Sequence, residues 1–141
     1  MTSEMIEFLQ GHMLLASIWL VLLIAIIGVE LWNKRQQPQT VSPQALVDIL
    51  NQNNAKVLDI RAVAVFKKGH ILNSKNMPWM GQDELLFKSY QHEHLVLVCQ
   101  QGIQAKNLAQ KLKQQGFSQV CVLSGGLQEW QNAQLPIVKG K

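Results

Sequence analysis

This sequence predicts an α/β fold with a mostly parallel central sheet covered by helices, preceded by one membrane-spanning helix, on three observations. Short apolar runs at 57–60, 95–98 and 119–123 alternate with stretches of helical periodicity, the order that parallel strands and their crossover helices produce. The middle run, Leu95-Val96-Leu97-Val98, is apolar throughout, which fits a strand buried on both faces, and it delivers Cys99 where the strand ends. Met13 to Val29 is an uncharged stretch of seventeen residues, extended past Glu30 by Leu31-Trp32.

The apolar stretch comes first. At a rise of about 1.5 Å per residue, seventeen to twenty residues approximately cross a hydrocarbon core of about 30 Å. A signal peptide would need a basic start and a small-residue cleavage site, and the first twelve residues offer Glu4 and Glu7 with no Lys or Arg. A soluble core helix would show a polar stripe, where this one has only Ser17 and Gly28. A transmembrane helix over 13–32 follows. Asn33-Lys34-Arg35 then place the C-terminal part in the cytoplasm and residues 1–12 outside, by the positive-inside rule, which makes the chain single-pass in the plasma (inner) membrane. Trp19 is expected to face lipid, and Trp32 lies where interfacial aromatics collect.

Residues 33–41 are polar, aperiodic and interrupted by Pro38, and read as a linker to a domain over 42–141. Ser42-Pro43 is a helix start, N-cap then first helical position, with Ala45, Leu46, Ile49 and Leu50 forming the apolar stripe. Val57-Leu58-Asp59-Ile60 is a strand whose carboxyl end brings Asp59 and Arg61 to the edge of a site. A helical turn from Ala62 to Lys68 is stopped by Gly69. A strand around Lys75 to Met77 is closed by Pro78, and Asp83 to Tyr90 reads as a helix carrying Leu85, Leu86 and Phe87. Past Cys99, Gly102 supplies a tight turn. The following helix, ending at Gly116, has Ile103, Leu108, Ala109 and Leu112 spaced to face a core. Gln119 to Leu123 is the last strand, Gly125-Gly126 a turn, and Leu127 to Asn132 a final helix containing Trp130.

Cys99 is the chemical centre of this plan. A thiol between a strand end and a helix N-terminus sits where main-chain N–H groups and the positive end of a helix dipole converge, so a thiolate or a sulfur-borne anion is stabilised there. The remaining titratable groups read as structural. His70 is a packing histidine, and His92 and His94 are surface loop residues without metal-ligand spacing. Cys121, inside an apolar strand, is core. Asp59 and Arg61 either pair near the mouth of the site or form a structural ion pair. Two cysteines in a domain placed in the cytoplasm argue against a structural disulfide, and no metal or other cofactor is expected.

Charge bounds the partners. All 13 Lys and Arg but only six of the 9 acidic residues follow residue 32, a surplus of seven that either keeps the domain soluble or draws it toward anionic lipid. No zinc-finger spacing or basic-aromatic interleaving points to nucleic acid.

Several short motifs now combine. Asp59-Ile60-Arg61, Phe66, Gly69-His70-Ile71 and Asn76-Met77-Pro78 precede Cys99-Gln100-Gln101-Gly102 and its helix. Gly116-Phe117, Val120 to Leu123, Gly125-Gly126, Trp130 and Leu135-Pro136 follow. In this order and spacing they resemble the rhodanese (sulfurtransferase) domain family over about residues 41–138. The resemblance implies a three-layer α/β/α domain in which Cys99 is catalytic. It would take sulfane sulfur from a donor such as thiosulfate or a persulfide and pass it to a thiol or cyanide, with Gln100, Gln101, Gly102, Ile103 and Gln104 as the loop cradle and Asp59 and Arg61 supporting.

The partners implied are a small sulfur donor, a small-molecule or protein thiol acceptor and the membrane itself, with a membrane-protein partner a further expectation. The loop departs from thiosulfate-using relatives in lacking charge between Cys99 and Ala105, with Lys106 just beyond. That departure keeps a non-catalytic, membrane-tethered adaptor as the alternative. Cysteine phosphatases that share the fold need an arginine six positions after the cysteine, and position 105 is alanine, which removes the bidentate phosphate fork.

Overall fold

The computed structural model describes residues 11–81 and 84–140 and separates into two units, one running through Gln37 and the other spanning Pro38–Lys141. The first is dominated by α1 (Met13–Gln36), a helix of 24 residues without a buried side chain, long and apolar enough to cross a membrane. It runs four residues past the sequence-based span and takes in the start of the expected linker. Nothing in Asn33-Lys34-Arg35-Gln36 disfavours a helix, and the two cations suit the negative end of its dipole. Pro38 ends it by forcing Gln37 into extended backbone at φ −70°, ψ 131°.

The second unit is built on a five-stranded sheet in the order β1-β5-β4-β2-β3, with every pairing parallel. Its strands are β1 (Gln39–Val41), β2 (Lys56–Asp59), β3 (Lys75–Asn76), β4 (Leu95–Val98) and β5 (Val120–Leu123). The mostly parallel sheet expected from the sequence is thus present, with one addition at the edge. Gln39–Val41, assigned to the linker, is a strand that pairs with β5 in the register Thr40↔Val122. Three residues with two exposed side chains carry no periodic signal, so only the β-branched pair Thr40-Val41 hinted at it.

Because side chains alternate along a strand, the central strands feed two separate cores. Leu58, Leu95, Leu97, Val120 and Val122 pack with Phe87, Ala105, Leu108, Ala109, Leu112 and Phe117 on one face. Val57, Val96, Val98, Cys121 and Leu123 pack with Leu46, Ile71, Leu127 and Trp130 on the other. Double-sided burial explains why β4 has no polar residue, and truncating Leu95 or Leu97 to alanine would cost about 2–5 kcal/mol.

The covering helices follow local rules. In α2 (Pro43–Asn51) the Ser42 hydroxyl accepts from the Ala45 N–H at 3.2 Å, with Pro43 in the first turn. α3 (Val63–Lys68) is short and buries Phe66. Gly69 after it is extended, at φ 168°, instead of left-handed. A Cβ there would lie 2.7 Å from Ile137 Cδ1, the tip of a side chain that would have to shift to admit it.

Glu84–Tyr90 is a 3₁₀-helix, so its three-residue repeat puts Glu84, Phe87 and Tyr90 on one side. Of the three apolar residues that the expected helix carries, Phe87 is core while Leu85 and Leu86 are exposed. The expected first residue of that helix, Asp83, lies outside the described residues. α4 (Ile103–Gln114) and α5 (Gly126–Asn132) complete the two layers. Ile103 does not join the α4 core stripe. It is 65% exposed, and Ala105 takes the inward position at the first turn.

Candidate active site

Cys99 stands one residue beyond β4, beside the carboxyl end of β2, where Asp59 pairs with Val98 and the Ile60 N–H donates to the Val98 carbonyl at 2.9 Å. Its side chain is 2% exposed, and the sulfur accepts from two main-chain N–H groups, Gly102 at 3.0 Å and Ala105 at 3.4 Å. Both donors belong to the turn that opens the twelve-residue α4, so the positive end of its dipole adds to theirs. Gly102 takes φ +89°, a left-handed conformation that glycine adopts freely. A Cβ there would approach the Gly125 nitrogen and the Leu123 oxygen to 3.3 Å.

The loop is held from two sides. On one, α5 donates its first N–H groups, Leu127 to the Cys99 carbonyl at 2.9 Å and Gln128 to the Gln100 carbonyl at 3.0 Å. Gly125 and Gly126, at φ +69° and +63°, make this approach possible, because a Cβ on Gly126 would sit 2.7 Å from the Gln100 oxygen.

On the other side, Arg61 and Asp59 form a buried pair. Arg61 Nε donates to both carboxylate oxygens at 2.9 and 3.1 Å and Nη2 to Oδ2 at 2.6 Å. The same guanidinium donates through Nη2 to the Gly69 carbonyl at 2.8 Å and through Nη1 to Gln100 Oε1 at 3.1 Å. Of the two readings left open for this pair, the geometry combines parts of each. It is a structural ion pair, and it reaches the loop through Gln100. Asn76 Nδ2 braces it from β3 by donating to the carbonyls of Asp59 and Arg61 at 3.0 and 2.8 Å.

Among the residues named as the cradle, Gly102 supplies a donor to the sulfur, and Gln100 is turned toward Arg61. Gln101, Ile103 and Gln104 are exposed on the outer side of the loop, as is Lys106. Ala105 is a donor that sequence reasoning passed over, considering only its side chain. The α5 N-terminus was also missed as part of the site, although Gly125-Gly126 after a strand was its visible signal.

The other titratable groups are placed as follows. His70 stacks on Phe66 with ring centroids 3.8 Å apart, and its Nδ1 lies 3.0 Å from the Phe66 carbonyl oxygen, a packing role. His92 is exposed. His94 is half-buried instead of a free surface residue, with Nε2 3.6 Å from Cys121 Sγ, because it immediately precedes the central strand. Burial pushes the Cys121 thiol up from its ordinary range, against a smaller opposing effect of Lys113. Both cysteines are free thiols, and no three of His, Cys, Asp and Glu gather as a metal-binding group among the described residues. A cavity of about 850 Å³ opens at the amino ends of β2, β3 and β4, bordered by Lys56, Lys75, Tyr90 and His94. It lies away from Cys99, which is not among the residues that line it.

Comparison with known proteins agrees with this fold. A family model, the rhodanese-like domain, matches residues 42–133. An uncharacterized protein from Buchnera aphidicola (subspecies Acyrthosiphon pisum) is 30% identical over 140 residues, covering 96% of each chain. The thiosulfate sulfurtransferase GlpE of Shewanella oneidensis is 34% identical over 99 residues, 66% of this chain and 92% of that one. Among solved structures, a rhodanese-related protein from Thermoplasma volcanium superposes with a TM-score of 0.63 at 25% identity, covering 71% of this chain and 97% of that one.

Proposed function

Since the chain belongs to the rhodanese-like domain family, we propose that it is a membrane-anchored sulfurtransferase that carries sulfane sulfur on Cys99. The observation that carries this reading is the sulfur at the strand end, accepting from the Gly102 and Ala105 N–H groups at the head of a helix. A buried cysteine of purely structural use has no need of two converging main-chain donors. A sulfur that must hold negative charge does.

The reaction is redox-neutral. The Cys99 thiolate attacks the outer sulfur of a donor such as thiosulfate, the donor's S–S bond breaks, and sulfite leaves with the bonding pair. The new Cys99 persulfide is an anion one sulfur longer, and this reading has main-chain N–H groups such as those of Gly102 and Ala105, which meet Sγ, stabilise its charge. A thiolate acceptor or cyanide then attacks the outer sulfur and releases Cys99 as thiolate. Thiosulfate enters as the substrate named for the Shewanella relative.

In this reading α1 anchors the domain, and Lys34 and Arg35 in its last turn set the domain in the cytoplasm with residues 1–12 outside. Reporter fusions at both ends test the orientation. A C-terminal reporter active only outside the cytoplasm overturns it. Steady-state transfer from thiosulfate to cyanide by the detergent-solubilised full chain tests the activity. The uncharged, exposed loop side chains favour one second reading, a tethered adaptor that keeps the fold without turnover. An inactive wild type with an intact fold would favour it over the sulfurtransferase.

A further inference from the structure

The start of the active-site loop is held at three atoms, two of them on Gln100. The Gln100 carbonyl accepts from the Gln128 N–H at 3.0 Å, Gln100 Oε1 accepts from Arg61 Nη1 at 3.1 Å, and the preceding Cys99 carbonyl accepts from the Leu127 N–H at 2.9 Å. Arg61 is itself immobile, 7% exposed and fixed by Asp59 and Gly69. Gln100 is itself an exposed residue, yet its side-chain oxygen is tied to a buried partner 39 positions earlier in the chain. Gln101 and Gln104 are equally exposed and have no such tie to Arg61. Two residues after Gln100 comes the N–H that meets the sulfur.

We propose that Gln100 is a positioning residue for sulfur transfer, its Oε1 bond to Arg61 fixing the loop so that the Gly102 N–H stays on the sulfur of Cys99. This rests on the sulfur-carrier reading for its catalytic meaning, though the clamp itself does not depend on it. The bond also engages Nη1, the guanidinium nitrogen not bonded to Asp59 or Gly69. With Asp59 balancing its charge, Arg61 acts on the site through the loop instead of through direct attraction of an anionic donor.

The test uses the full chain in detergent with two substitutions. Gln100→Leu keeps the size and removes the acceptor, and Gln100→Glu keeps an acceptor for Arg61. The first readout is the kcat and KM for thiosulfate. Gln100→Leu is expected to lower kcat about ten-fold with KM within about two-fold, and Gln100→Glu to restore kcat to within about three-fold of wild type.

The second readout is the pH midpoint of Cys99 alkylation by iodoacetamide, followed by peptide mass. It is expected to rise by about half a unit or more in Gln100→Leu as the N–H leaves the thiolate. A merely structural role would lower the unfolding midpoint in Gln100→Leu while leaving kcat and the alkylation midpoint of the folded protein unchanged, and that result overturns the proposal. If the wild type transfers no sulfur, the sulfurtransferase reading fails separately. The alkylation midpoint then decides the clamp alone, an unchanged value overturning it.

Discussion

The Leu127 N–H donates to the Cys99 carbonyl at 2.9 Å, so the helix after the last strand holds the main chain of Cys99. Contact this close requires Gly126, where any Cβ would be driven into Gln100 and the main chain of Cys99. Gly126→Ala also places a side chain at φ +63°. Its cost is expected to exceed the 1 kcal/mol or so of an ordinary surface change and reach about 3 kcal/mol. Urea unfolding measures this. A loss under about 1 kcal/mol would mean that α5 does not grip the loop.

Asp59 is fully buried against Arg61. Asp59→Asn leaves a guanidinium charge in the interior without its counter-ion, and breaking such a pair costs about 3–5 kcal/mol. The same denaturation experiment reads it. A change within about 0.5 kcal/mol would place the pair at a hydrated surface.

Cys121 gives the protein a signature in alkali. Its thiol is raised by burial, so the folded state keeps the proton at pH values where the unfolded chain has released it. The unfolded state then binds fewer protons, and stability falls as pH rises from the ordinary thiol range, about 8.5, toward the higher folded value. Below that window the contribution is fully present. Stability measured from pH 7 to 10.5 should decline more in wild type than in Cys121→Ala, by up to about 1.4 kcal/mol for each pH unit of the window. Parallel curves would refute the burial argument.

The edge strand sets where the domain begins. Val41 accepts from the Ser124 N–H at 2.9 Å, and β1 covers one side of β5. Removing residues 1–37 is expected to leave a cooperatively folding domain. Removing 1–41 exposes β5 and lowers stability. Thermal unfolding of the two truncations compares them, and equal midpoints would show β1 to be dispensable.

What the sequence disclosed and what it hid have physical causes. Leu95 to Val98 are apolar at every position because both faces are buried, which made the central strand and its cysteine visible at once. β1 has too few buried residues to leave a pattern, and Glu84–Tyr90 looked α-helical because three apolar residues in a row do not distinguish a 3₁₀ repeat from an α one. The roles of Ala105 and Leu127 were invisible for another reason. They contribute main-chain N–H groups, and side-chain chemistry does not mark those. The tie between Arg61 and Gln100 joins two residues far apart in sequence, so only the fold could reveal it.

The central claim is that Cys99 carries sulfur, and intact-mass measurement of the purified full chain after incubation with thiosulfate tests it most directly. The account predicts the addition of one sulfur atom, removed by a thiol reductant, retained in Cys121→Ser and absent in Cys99→Ser, because a serine hydroxyl is neither ionised at neutral pH nor able to hold sulfane sulfur. No added sulfur on the folded wild type, or the same addition in Cys99→Ser, would contradict it.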